Sequence, residues 1–375
     1  FKTLFSEENF VLYKHWAYVM ALVGSTSFLS EELREIGSSF RMALMGLRAI
    51  PSPEKHAYRL AGNMFSQPVG LFYGEKYFGP EAKKDVVDMV NEIINKYKER
   101  LQTNEILSAE TREKAILKLS KIEVKMGYPD KVEKVYDRYE LDEKSSLFDM
   151  VSLIGRTRRE FDFAKLTKPV DRSEWAMPGH MVNACYNPFT NDITFPAAIL
   201  QKPFYSIKQT ESENLGGIGA VIGHEISHAF DNNGAQFDEK GNLFNWWTQK
   251  DYDAFKVKTG EMIKQFDGIE YHGGKVNGEL VVSENIADNG GMAVTLAIMH
   301  KDNGNFQEYF KNWARVWCMK AKEEYIRYLL TNDVHSPTKL RANIPPRNFD
   351  EWYEAFNVTE KDEMYIAPKE RLVIW

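Results

Sequence analysis

The chain has 375 residues, enough for two or three domains or one large one. A composition of 43% hydrophobic and 27% charged residues, with 13% aromatics, is that of a globular protein and excludes wholesale disorder. The net charge of −6 disfavours a general nucleic-acid binder, and no apolar run approaches the roughly 18 residues of a membrane span.

Phe1 is not an initiator methionine, and Phe10 to Leu22 already reads as an amphipathic helix, so the chain is expected to be the C-terminal part of something longer. Glu81 to Leu101 carries a stripe of 3.6-residue period (Val86, Val87, Met89, Val90, Ile93, Ile94, Tyr97). Ser108 to Ile122 predicts another helix, ended by the breaker cluster Gly127-Tyr128-Pro129-Asp130. A charged helical stretch follows from Asp142 to Phe163. The character then changes: Met181 to Tyr186 and Ile193 to Pro196 are short β-like runs around turn residues, which predicts a hairpin. Gly216-Gly217-Ile218-Gly219 opens a helix through Val221 to Phe230, and Ser283 precedes a second, from Glu284 to His300. Further helices fill Phe306 to Leu330, and the tail around Pro337 and Pro345-Pro346 is loop-rich. Cys185 and Cys318 are too few for a disulfide framework and read as free thiols.

The informative segment is His224-Glu225-Ile226-Ser227-His228. Residues four apart share a helix face, so both imidazoles can reach one Zn²⁺ at about 2.0–2.1 Å. Glu225 lies beside them, placed to take a proton from metal-activated water. The helix is otherwise apolar, so a buried glutamate and two histidines need a reason to be there. A catalytic zinc needs a third protein ligand. Trp247 occupies the position where one known spacing requires glutamate, and Asp231 and Gly234 do not fit another. A carboxylate on the second helix remains. Glu284 and Asp288 are four apart, so one can bind metal while the other orients a histidine. Ser283-Glu284 also reads as a plain capped helix start, and both readings can hold together.

Val221 to His228, Glu284 to Gly291, Val182-Asn183-Ala184 and Asp333-Val334-His335-Ser336-Pro337 closely resemble the neprilysin family of zinc endopeptidases, most of all its bacterial endopeptidase O branch. The resemblance covers essentially the whole chain. It implies zinc ligands His224, His228 and Glu284, one ion per chain, a general base Glu225, and Asp288 supporting a ligand. Asn183 and Ala184 would clamp an extended peptide, His335 would donate to the transition state, and Arg341 would bind a substrate carbonyl. Phe204, Val221 and Trp317 would form the apolar pocket after the scissile bond.

The implied fold is mainly α with a small sheet: part of a helical lid domain over residues 1–120 and a thermolysin-like catalytic domain over 121–375. The implied partners are oligopeptides, cleaved on the amino side of hydrophobic residues, and the upstream portion of the same protein. Animal members end in Cys-x-x-Trp, whereas this chain ends Leu372-Val373-Ile374-Trp375, which favours a bacterial protein, with the cytoplasm the expected compartment and a secreted or cell-surface one open. A catalytically inactive peptide-binding module of the same fold would not need Glu225, and a structural scaffold would need no metal.

Overall fold

In the computed structural model, which describes residues 5–375, 59% of the chain is helix and 5% strand. Serine and threonine start many of the helices. Ser6, Ser30, Ser52, Ser108, Ser146 and Thr248 each accept a hydrogen bond from the backbone N–H three residues on, satisfying a donor that the first turn cannot. In chain order the helices begin with α1 (Glu7–Ser25), α2 (Glu31–Leu44), α3 (Pro53–Met64) and α4 (Ser66–Tyr77), then α5 (Gly79–Gln102) and α6 (Ala109–Ser120). Strand β1 (Glu123–Gly127) and α7 (Leu147–Phe163) precede the hairpin of β2 (Cys185–Asn187) and β3 (Asp192–Pro196). Next come α8 (Glu211–Asn214), α9 (Ala220–Ser227), α10 (Gln249–Phe266) and a short ribbon of β4 (Glu270–Tyr271) and β5 (Gly274–Lys275). The chain closes through α11 (Gly278–Lys301), α12 (Phe306–Val316), α13 (Glu323–Asn332), α14 (Thr338–Asn343) and α15 (Asp350–Phe356).

Contacts divide the chain into two units, Phe1–Ser66 with Glu133–Val170, and Gln67–Val132 with Asp171–Trp375. In the first unit α1 forms where the pattern predicts it, yet none of its side chains is buried; Phe10, Trp16, Val19, Met20 and Leu22 all stand more than half exposed. The unit is tied by Arg34, which is buried, paired with Glu31 and donates to the Pro51 carbonyl. The Glu133 carboxylate accepts from both Arg158 and Lys165.

The second unit holds the larger core. This contact division differs from the lid-and-catalytic division expected near residue 120, since α5 and α6 pack with the second unit. The stripe read from sequence is the reason: Val86, Val90, Ile93 and Tyr97 of α5 are fully buried, against Ile218, Ile222 and Ile226 leading into and along α9 and Ile286 and Val294 of α11. The Tyr97 hydroxyl donates to the Gly223 carbonyl at 2.8 Å, deep in this core. The three-stranded sheet has the order β1-β3-β2. Strand β3 pairs in parallel with β1 (Glu123 opposite Asp192) and antiparallel with β2 (Cys185 opposite Thr194). Asn191 turns the hairpin in the left-handed region, at φ 46°, which asparagine tolerates better than most residues. Strand β2 therefore lies at an open edge, and it packs against α9.

Both cysteines are free thiols, and no helix among the described residues is long and apolar enough to cross a membrane.

Candidate metal centre

The site sits where α9 and α11 cross. Their approach depends on Gly223 and Gly291: a Cβ on Gly223 would fall 2.8 Å from the Gly291 Cα, and one on Gly291 would fall 2.3 Å from the Ala220 carbonyl oxygen. Any side chain at either position would force the helices apart. Gly216 and Gly217, in the wider turn before α9, lie similarly against the carbonyls of Tyr309 and Phe204. The approach sets the Glu284 carboxylate over the two histidines of α9.

The histidine Nε2 atoms are 3.1 Å apart, and Glu284 Oε2 lies 3.1 Å from His224 Nε2 and 3.5 Å from His228 Nε2. Two N–H groups cannot face each other at that distance, so at least one Nε2 presents a lone pair. Glu284 Oε2 is buried, yet none of the approaching nitrogens makes a hydrogen bond to it. A cation resolves both problems. Four-coordinate zinc with bonds of 2.0–2.1 Å has ligand-to-ligand edges of about 3.3–3.4 Å, close to the three observed, and two imidazoles with a carboxylate suit it. Among the described residues His224, His228 and Glu284 are the group of this kind whose ligand atoms lie within 4.8 Å of one another. The fit is good.

Each histidine is oriented from behind. His224 Nδ1 donates to Asp288 at 2.8 Å, and Asp288 accepts from Arg341 through Nε and Nη2 at 2.8 and 2.7 Å. Burial pushes the Asp288 carboxyl up, but the charge of Arg341 and the His224 hydrogen bond hold it at about 2. The Arg341 guanidinium lies 3.7 Å over the Trp317 ring, so Trp317, offered for the apolar pocket, is also a wall for this arginine. His228 Nδ1 donates to Asp231 at 2.6 Å, and the same Asp231 oxygen accepts from the Ser283 hydroxyl at 2.6 Å. Its other oxygen accepts from the backbone N–H groups of Asn233 and Gly234.

Ser283 therefore does not cap a helix. Helix α11 starts five residues earlier, where the Asn277 side chain accepts from the backbone of Glu279 and Leu280. Asp231 was legible only as a carboxylate three positions after the second histidine, and Ser283 carried no signal for its role. His335, exposed on the loop before α14, brings Nε2 to 3.1 Å from Glu284 Oε2, while its Nδ1 donates to Asp333 at 2.8 Å. Partial desolvation on the side of the ring that faces the site lowers the imidazole pKa, but Asp333 and Glu284 outweigh it and raise it above the ordinary value. The loop is latched from below by the buried Ser336, whose hydroxyl donates to Asn285 of α11 at 2.7 Å.

Glu225 is buried beside the histidines, and Val221 is buried one turn before His224. The Phe204 carbonyl accepts from Ile218 at 2.8 Å, which places Phe204 over the turn entering α9. Asn183, exposed, and Ala184, half-buried, lead into edge strand β2, and the Asn183 side chain accepts from the Ala184 N–H.

A model described as peptidase family M13 matches residues 183–372, and a second with the same description matches residues 1–129. The chain belongs to this family. It is 50% identical to the neutral endopeptidase of Lactococcus lactis over 381 residues, covering 100% of this chain and 60% of that protein. The crystal structure of PEPO from Lactobacillus rhamnosis superposes with a TM-score of 0.94 at 45% identity, over 100% of this chain and 60% of that one. An inhibitor complex of a Mycobacterium tuberculosis zinc metalloprotease gives 0.88 at 33% identity, over 100% and 59%. The chain thus spans about 60% of the length of the relatives it matches.

Proposed function

We propose that the protein containing this chain is a zinc-dependent endopeptidase that hydrolyses oligopeptides on the amino side of hydrophobic residues. The observation that carries this reading is the triangle of two Nε2 atoms and one carboxylate oxygen, with edges of 3.1, 3.1 and 3.5 Å, beside a buried glutamate that is not part of it. His224, His228 and Glu284 hold the metal. Bound zinc would lower the pKa of its water and polarise the scissile carbonyl.

The remaining steps belong to the protein. Glu225 accepts the proton of the attacking water and delivers it to the leaving nitrogen. His335, oriented by Asp333, donates to the oxygen that becomes negative as the carbonyl turns tetrahedral. An extended peptide adds to the open edge of β2, with Asn183 and Ala184 bonding its backbone. Arg341 uses two donors on Asp288, and the rest of its planar fork reaches the next carbonyl. Phe204 and Val221, with Trp317 behind, offer apolar surface to the side chain after the cleaved bond. Residues upstream in the whole protein would complete a helical lid that excludes folded substrates.

The deciding experiment uses the full-length protein. Purified enzyme should carry close to one zinc per chain, and His228→Ala should lose it. Glu225→Gln should keep the metal and lose activity by about 10²–10⁴-fold, because the base is not a ligand. Full activity in that variant would remove Glu225 from the mechanism, and metal-free wild type with full activity would end the reading.

A further inference from the structure

Lys118, on α6, is 1% exposed and lies over a hundred residues from the metal ligands in sequence. Its ammonium donates to three carbonyl oxygens: Ala229 at 2.9 Å, Gly234 at 2.8 Å and Phe237 at 2.7 Å. All three belong to the segment that leaves α9 immediately after His228. Ala229 follows the second histidine. Gly234 supplies an N–H to Asp231, and Phe237 also accepts from the Trp246 indole at 2.9 Å.

The rings of Tyr186 and Trp246 wall the ammonium, each 5.7 Å from Nζ. Burial is costly for it, pulling its pKa down to about 7 against the negative charge of Asp231, Asp238 and Glu239. A methionine would fill the same space without that cost. What lysine adds is three donors radiating from one point, where a helix has run out of its own partners. Cation and helix C-terminus also attract each other.

We propose that Lys118 is a positioning residue of the metal centre: by gathering three carbonyls it folds residues 229–237 into the turn that holds Asp231 against His228. The inference rests on the zinc-peptidase reading and adds a residue to it. His224 is held from α11 through Asp288, within the helix pair itself. On the His228 side the supporting Asp231 stands outside the helix pair, on an irregular segment anchored to α6 by Lys118 and to α11 by Ser283.

The experiment compares full-length wild type, Lys118→Met, Lys118→Arg and Asp251→Asn. Asp251 bonds Ser108 and Thr111 at the opposite end of α6, so its variant loosens the same helix without touching the loop. Zinc affinity is read by chelator competition, and ligand geometry by the visible absorption of the Co²⁺-substituted protein. Lys118→Met should bind zinc about 10–100-fold more weakly, the size typical for lost support of a ligand, with an altered Co²⁺ spectrum. It should lower kcat while KM stays within about twofold. Asp251→Asn should lose thermal stability with unchanged zinc affinity and spectrum.

If Lys118→Met does not fold, Lys118→Arg serves. It keeps the charge but replaces a point donor with a planar fork, so the folded protein should still show weaker zinc binding and a shifted spectrum. Wild-type affinity and spectrum in whichever lysine variant folds would reduce Lys118 to a stability role and overturn the proposal. A wild type that binds no zinc would overturn the peptidase reading as well, so the two failures are distinguishable.

Discussion

Replacing Asp288 by Asn exchanges one atom and removes one charge from a carboxylate of the site that is almost wholly enclosed. Asp288 is 1% exposed and Arg341 is 7% exposed, and their two hydrogen bonds of 2.7 and 2.8 Å are made away from water. Losing one member of a buried pair costs about 3–5 kcal/mol, because the other charge is left without compensation. The metal-free protein should therefore unfold about 6–10 °C lower, at about 2 °C per kcal/mol for a unit of this size. A second effect is separate. His224 Nδ1 now meets a neutral amide, its lone pair at Nε2 becomes less basic, and zinc should bind about 10–100-fold more weakly, or roughly 1.4–2.8 kcal/mol. Calorimetric unfolding of the metal-free protein measures the first effect, and zinc competition with a chromophoric chelator measures the second. An Asp288→Asn variant matching wild type in both would refute the linkage of Arg341, Asp288 and His224.

His335→Ala should lower kcat by about 10²–10³-fold with little change in KM, as for other single donors to a developing oxyanion; wild-type kinetics would make the loop after Asp333 merely structural. Arg341→Ala should raise KM and also weaken zinc, because it strips Asp288 of its counter-charge; an effect on KM alone would separate the arginine from the metal centre. Cleavage before Phe or Leu should exceed cleavage before Gly or Asp by roughly 2–3 kcal/mol in kcat/KM if the side chain is fully buried, and an unbiased pattern in a peptide library would remove the Phe204, Val221 and Trp317 pocket. Acid stability should report the buried Asp251, which desolvation pushes up but hydrogen bonds from Thr111, Thr248 and Ser108 hold at about 2. Its folded pKa is depressed, so its contribution is present above pH ~4 and fades as pH falls toward about 2. That contribution is about 2 kcal/mol, and urea unfolding at about pH 5 and about pH 3 should show a smaller loss for Asp251→Asn than for wild type.

What the sequence disclosed follows from how far each interaction reaches along the chain. His224 with His228, and Glu284 with Asp288, are four apart on helices, so a local period alone places each pair on one face. The α5 stripe is equally legible, but its partner is not: a mostly helical pattern through residue 120 gives no hint that α5 and α6 join the larger unit while residues 133–170 join α1–α3. At Ser283, serine before glutamate imitates a cap, while the true cap, Asn277, precedes a glycine and looks like a turn. Asp231 lies only three residues from His228 but past the end of the helix, and Lys118 is more than a hundred residues from the carbonyls it binds. Their partners are Nδ1 of a histidine at a helix end and carbonyls of an irregular segment, and neither depends on periodicity. A lysine that bonds only backbone oxygens is chosen for its shape and charge at a point in space, and its partners can be any residues whose chain passes there. Its site therefore leaves no pattern in their side chains, and it becomes visible only when α6 and the end of α9 are brought together.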